Sequence, residues 1–161
     1  MSAVGIISIV RYVISSIGFF FGFYFLSSNL SLAIEIVSLT TVGVVGLVSF
    51  ISHVIFHKAD AKRINFENQN PGFQFEVGFA NLALGLVAII SYFAKWGIIA
   101  NSVLILTFAV YLFQAAILHT WKSFSGKEKN IGHFFKRGFV TFVFSGMMLF
   151  FAITAIFSGK L

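Results

Sequence analysis

Cysteine is absent from this chain and proline occurs once. Acidic residues are scarce, five against eleven Lys and Arg in 161 residues. Without thiols there is no disulfide, thiolate zinc site, iron–sulfur cluster or covalent c-type haem attachment. The scarcity of proline and of polar residues excludes collagen-like and disordered chains. Only 10% of the residues are charged, against about 25% in ordinary soluble domains. Apolar residues fill the gap: 58% of the chain is hydrophobic, with 23 Phe. Such a composition predicts a polytopic membrane protein, all-α, forming a single compact bundle over residues 1–161. Its expected partner is the lipid bilayer rather than nucleic acid, although the net charge is +6. In a membrane chain a basic excess reports orientation.

A membrane-crossing helix needs about 20 predominantly apolar residues. Five such spans are expected, over residues 4–26, 32–57, 73–94, 97–119 and 134–157. Ser27-Ser28-Asn29 and Lys95-Trp96-Gly97 read as tight turns. Lys58 to Gly72, with the lone Pro71, and Lys122 to His133 read as charged loops. The first span lacks a basic leader, since its early charge, Arg11, lies within the apolar run, so a retained helix is expected rather than a signal peptide. Eight of the eleven basic residues fall in or next to the two charged loops. By the positive-inside rule those loops face the cytoplasm, which puts the N-terminus in the cytoplasm and the C-terminus outside the cell membrane.

Small and polar residues mark where helices meet in lipid, because apolar burial does not favour a neighbouring helix over an acyl chain. Ser8, Arg11, Ser15, Gly18 and Gly22 lie three or four apart on the first helix. Gly46, Ser49, His53 and His57 form a stripe on the second. Gly78, Asn81, Gly85 and Ala88 mark the third, and Gly138, Thr141, Ser145, Ala152 and Ala155 the fifth. Close packing along these seams is the simplest reading.

Ionisable and amide side chains inside spans are costly and need partners. Arg11, His53, His57, Glu76, Asn81, Gln114 and His119 converge in depth on the cytoplasmic half. Three readings stay open. In the structural one, Glu76 pairs with Arg11 and the histidines bond to neighbours or interfacial water. In the second, Arg11, Glu76, Asn81 and Gln114 line a site for a small ligand, a lipid head group or a quinone, with Arg11 recognising an anion. In the third, His53 and His57 at i,i+4 join Glu76 and His119 around Zn or Fe. A haem between His53 and His119 is a variant of that metal-dependent enzyme. A subunit role in a larger membrane complex, or a homo-oligomer, fits the same composition. A transporter would need a polar route through the outer half, where only Glu35, Ser38, Thr40 and Thr41 continue one.

The stretch His57…Ile64…Phe73-Gln74-Phe75-Glu76-Val77-Gly78-Phe79-Ala80-Asn81-Leu82 resembles a family of small bacterial membrane proteins classed as a domain of unknown function. The family pattern runs roughly H…I-G-W…S-P-F-Q-x-E-V-x-x-A-N-L, with a later helix ending in histidine, a position His119 suits. Asn65-Phe66 replaces Gly-Trp and Pro71-Gly72 replaces Ser-Pro. The resemblance implies a four- or five-helix bundle with Gln74, Glu76 and Asn81 in the signature helix. It carries no activity.

Overall fold

Pro71 stands at the first turn of a helix, where its missing N–H leaves no hydrogen bond unmade. The Asn70 side chain caps that helix, accepting from the Gly72 N–H at 2.9 Å. Asn29 caps another in the same manner, accepting from the Leu32 N–H at 3.0 Å. Between capped starts the chain has little but helix-compatible apolar sequence, and the computed structural model is accordingly helical. It describes residues 2–64, 70–125, 132 and 134–158. The helices are α1 (Ala3–Phe25), α2 (Leu30–Ile55), α3 (His57–Ile64), α4 (Pro71–Phe93), α5 (Gly97–Ser125) and α6 (Val140–Ser158). A wide turn, Phe134–Phe139, leads into α6. No strand occurs among the described residues. The expected all-α bundle is borne out: α1, α2, α4, α5 and α6 are each long and apolar enough to cross a membrane.

The turn between α4 and α5 is made by Lys95 and Gly97, both with positive φ (54° and 86°). The chain therefore reverses tightly where Lys-Trp-Gly predicted a turn. Exposed Trp residues flank α5 at both ends, Trp96 and Trp121. They are 25 residues apart, about 37 Å along a helix, which matches the separation of the two interfacial zones of a bilayer. Phe20, Phe93 and Phe157 on other helices also face outward, as lipid contact requires.

Helix α2 is central. Half of its most apolar stretch is buried, against 22–28% in the other four long helices. Ile34, Val37 and Val42 of α2 pack with Ile105 and Phe108 of α5 and with Met148 and Phe151 of α6. On its opposite side α2 meets α4 backbone to backbone. A Cβ on Gly46 would lie 2.7 Å from the Asn81 carbonyl oxygen, and one on Gly85 2.9 Å from that of Gly43. Gly18 of α1 sits closer still, against the Thr40 side chain. The expected small-residue seams are thus real contact lines.

Three features differ from the sequence reading. Residues 58–64, expected as loop, belong to helix α3, with Asp60 in its first turn and Lys62 and Arg63 in its last. That arrangement complements the helix dipole. Helix α2 contains two wide-turn segments, Ser38–Val44 and Ile51–Ile55, with i→i+5 bonding. It stops at Ile55, because Phe56 leaves helical conformation (φ −103°, ψ 27°). The last span is helical from residue 134 as expected, but its first six residues, Phe134–Phe139, are wide-turned and regular α-helix begins only at Val140. Lys127, Lys129 and His133 of the second charged loop, the Asn65-Phe66 pair and Lys160 lie outside the described residues.

Candidate ligand pocket

All six helices contribute to a cavity of about 410 Å³ at the end of the bundle that carries α3. Its polar wall includes Arg11 of α1, Ser49 and His53 of α2, Arg63 of α3, and Gln74 and Asn81 of α4. Tyr111, Gln114 and His119 of α5 add to that wall. The remainder is apolar or aromatic, including Val45, Phe108, Leu112 and Phe144. A volume between about 300 and 1,000 Å³, with mostly apolar walls and a few converging polar groups, is typical of small-molecule sites.

One side of the pocket is built on Asp60, the only aspartate in the chain, with a fully buried side chain. Its Oδ1 accepts from Ser52 Oγ at 3.1 Å, and from Arg63 Nε at 3.0 Å and Nη2 at 2.6 Å. Its Oδ2 lies 2.7 Å from His53 Nδ1. Burial alone would raise the Asp60 carboxyl. The hydrogen bond and charge of His53, with those of Arg63, outweigh burial and hold it far below the usual carboxylate range. Ser52 and His53 are consecutive, and the wide turn at Ile51–Ile55 lets both reach one carboxylate.

Gln74 fixes α3 from the other side. With its amide oriented so that nitrogen faces the carbonyl and oxygen the N–H, it donates to the His57 carbonyl at 2.9 Å and accepts from the Ala61 N–H at 3.2 Å. The first residues of α4 therefore hold α3 over the cavity. Deeper in, Asn81 Nδ2 donates to the Val77 carbonyl at 2.7 Å and to the Tyr111 hydroxyl at 3.2 Å. Arg11 donates to Ser49 Oγ at 3.2 Å and Ser8 Oγ at 3.4 Å.

Of the residues expected to bind a ligand, Arg11, Asn81 and Gln114 line the cavity and Glu76 does not. Glu76 is exposed and makes no ion pair among the described residues, so its expected bond to Arg11 is absent. Of the residues expected to ligate a metal, His53 and His119 line the cavity. His57 turns away: its Nδ1 is 3.1 Å from the Val54 carbonyl oxygen, and its ring packs edge-on to Phe75. The break at Phe56 removes the i,i+4 alignment with His53. Among the described residues no three His, Asp or Glu side chains gather closely enough to hold a metal ion. Sequence reasoning missed Asp60 and Arg63, and the signal for them was a lone aspartate three residues before an arginine in a basic segment.

The fold and pocket define an all-α helical bundle of membrane-spanning dimensions with a cavity at the end that carries α3. The chain belongs to a family of unknown function, DUF6790, whose profile matches residues 3–157. No curated protein and no solved structure matches it.

Proposed function

We propose that this chain is a multi-pass protein of the cell membrane that holds a small ligand in the pocket beneath α3. The pocket carries the reading: all six helices converge on it, and Arg11, Asn81 and Gln114 line one cavity with aromatic and aliphatic walls. Orientation with the N-terminus in the cytoplasm rests on the eight basic residues in or beside the loops at that end. The ligand then binds in the cytoplasmic leaflet. A reporter fused after Leu161 tests the orientation, and signal from a cytoplasmic reporter would reverse it. Purification in a mild detergent followed by native mass spectrometry tests the pocket. One small molecule per chain is expected, lost on Ala115→Trp, which places an indole at the wall of the cavity. Equal content in a folded variant and the wild type would defeat the reading.

A further inference from the structure

Arg11 is a cation inside a membrane-length helix and, among the described residues, forms no ion pair with a carboxylate. It stands eight residues into α1, about 12 Å along the axis. Its two hydrogen-bond partners, Ser49 and Ser8, are neutral hydroxyls. A guanidinium has five N–H donors, so most of its capacity is left for the cavity it lines. The nearby acid, Asp60, is occupied by Ser52, Arg63 and His53. Arg63 brings a second positive charge within range of Arg11. Among the described residues two guanidinium groups share one carboxylate, and a positive charge is left unbalanced where counter-charge is hardest to obtain from water.

The other walls indicate what carries the counter-charge. Val45, Phe108, Leu112 and Phe144 make the lining apolar. Tyr12, Leu118 and Val140 line the cavity while remaining 52%, 42% and 38% exposed. The cavity therefore opens sideways, between α1 and the last two helices, onto the face that acyl chains cover. Farther along this seam the rings of Phe19 and Phe144 meet edge-on, 5.4 Å apart, and close it. A free inorganic anion would gain nothing from such walls, and a neutral apolar molecule would leave Arg11 uncompensated. We propose that the ligand is an anionic amphiphile with one apolar chain, entering from the bilayer and placing its carboxylate or phosphate on the Arg11 guanidinium. This rests on the pocket reading above and narrows it. Arginine suits either head group, because its planar fork bonds two oxygens at once.

The test uses the full chain in nanodiscs of neutral phosphatidylcholine, with dodecanoate, dodecyl phosphate, neutral dodecylglycerol and inorganic phosphate as probes. Affinities are compared per mole fraction in lipid, and in bulk for phosphate. At least one anionic alkyl probe should bind one per chain, ten-fold or more tightly than dodecylglycerol. Arg11→Gln should remove that preference, and Leu118→Trp at the opening should weaken every alkyl probe. The tighter of dodecanoate and dodecyl phosphate identifies the head group. Dodecylglycerol binding as tightly as both anionic probes in the wild type would overturn the inference and leave the pocket reading intact. Inorganic phosphate displacing bound dodecyl phosphate at equal total concentration would overturn the amphiphile. Binding of no probe, with one co-purified molecule still lost on Ala115→Trp, would again overturn this inference alone. The wild-type comparison decides the matter even where a variant fails to fold.

Discussion

His53 Nδ1 lies 2.7 Å from Asp60 Oδ2, and this contact joins the last turn of α2 to the first turn of α3. The same carboxylate holds Ser52 and Arg63 through its other oxygen. A fully buried acid with partners on both oxygens is a hub whose removal strands cationic groups. Asp60→Asn should therefore lower stability in detergent by about 3 kcal/mol, at the low end for a broken buried pair because Arg63 keeps access to water. Asp60→Asn combined with Arg63→Gln should cost less than the sum of the two. Strict additivity, measured by thermal unfolding, would show that they do not interact.

The depressed Asp60 carboxyl also sets an acid dependence. A carboxyl whose folded value lies below its unfolded value of about 3.9 contributes stability that is complete above that value. It loses that contribution as the pH falls towards the folded value. The melting gap between wild type and Asp60→Asn should narrow as the pH falls below about 4. A gap that widens in acid would contradict the arrangement around His53 and Arg63.

Glu76 offers the contrasting case. It is exposed and makes no ion pair among the described residues. Glu76→Gln should change stability by no more than about 0.5 kcal/mol, as surface substitutions do. A loss matching that of Asp60→Asn would return the charge hub to Glu76.

Gln74 ties α3 to α4 through two backbone groups of α3, the His57 carbonyl and the Ala61 N–H. Gln74→Leu keeps the bulk and removes the amide, at a cost of about 1 kcal/mol. Its main effect should be local, with faster hydrogen exchange at Ala61 and Arg63 and unchanged exchange in the middle of α4. Unaltered exchange across α3 would show that the amide does not hold it.

Two glycines should respond in opposite ways to the same change. At Gly85 an added methyl meets the Gly43 carbonyl oxygen at 2.9 Å and the Leu47 nitrogen at 3.1 Å, both backbone atoms that cannot turn aside. Gly85→Ala should cost about 1–3 kcal/mol, as overpacking does. At Gly146 nothing lies within 4 Å, and Gly146→Ala should be neutral or stabilise by up to about 1 kcal/mol through helix propensity. Thermal unfolding of both variants decides whether α2 and α4 touch as described.

The amino-acid sequence alone determined the all-α class, the five long helices and the lines along which they meet. Those features depend on composition, on segment length and on a spacing of three to four residues, all of which can be read along one helix. It also placed the polar residues at a common depth, because depth follows from counting residues inward from a charged loop. Direction around the helix axis was decided by the tertiary structure. His53 and His57 share a face only if α2 runs on as one regular helix, and the wide turn at Ile51–Ile55 and the break at Phe56 end that regularity. Glu76 and Asp60 lie near the same end of the bundle, and which acid turned inward depended on α3 folding back beneath Gln74. That fold-back joins residues on two helices, α2 and α3, through one buried carboxylate. A local pattern could not reveal it, because the desolvation that makes Asp60 dependent on its partners exists only once those helices are packed.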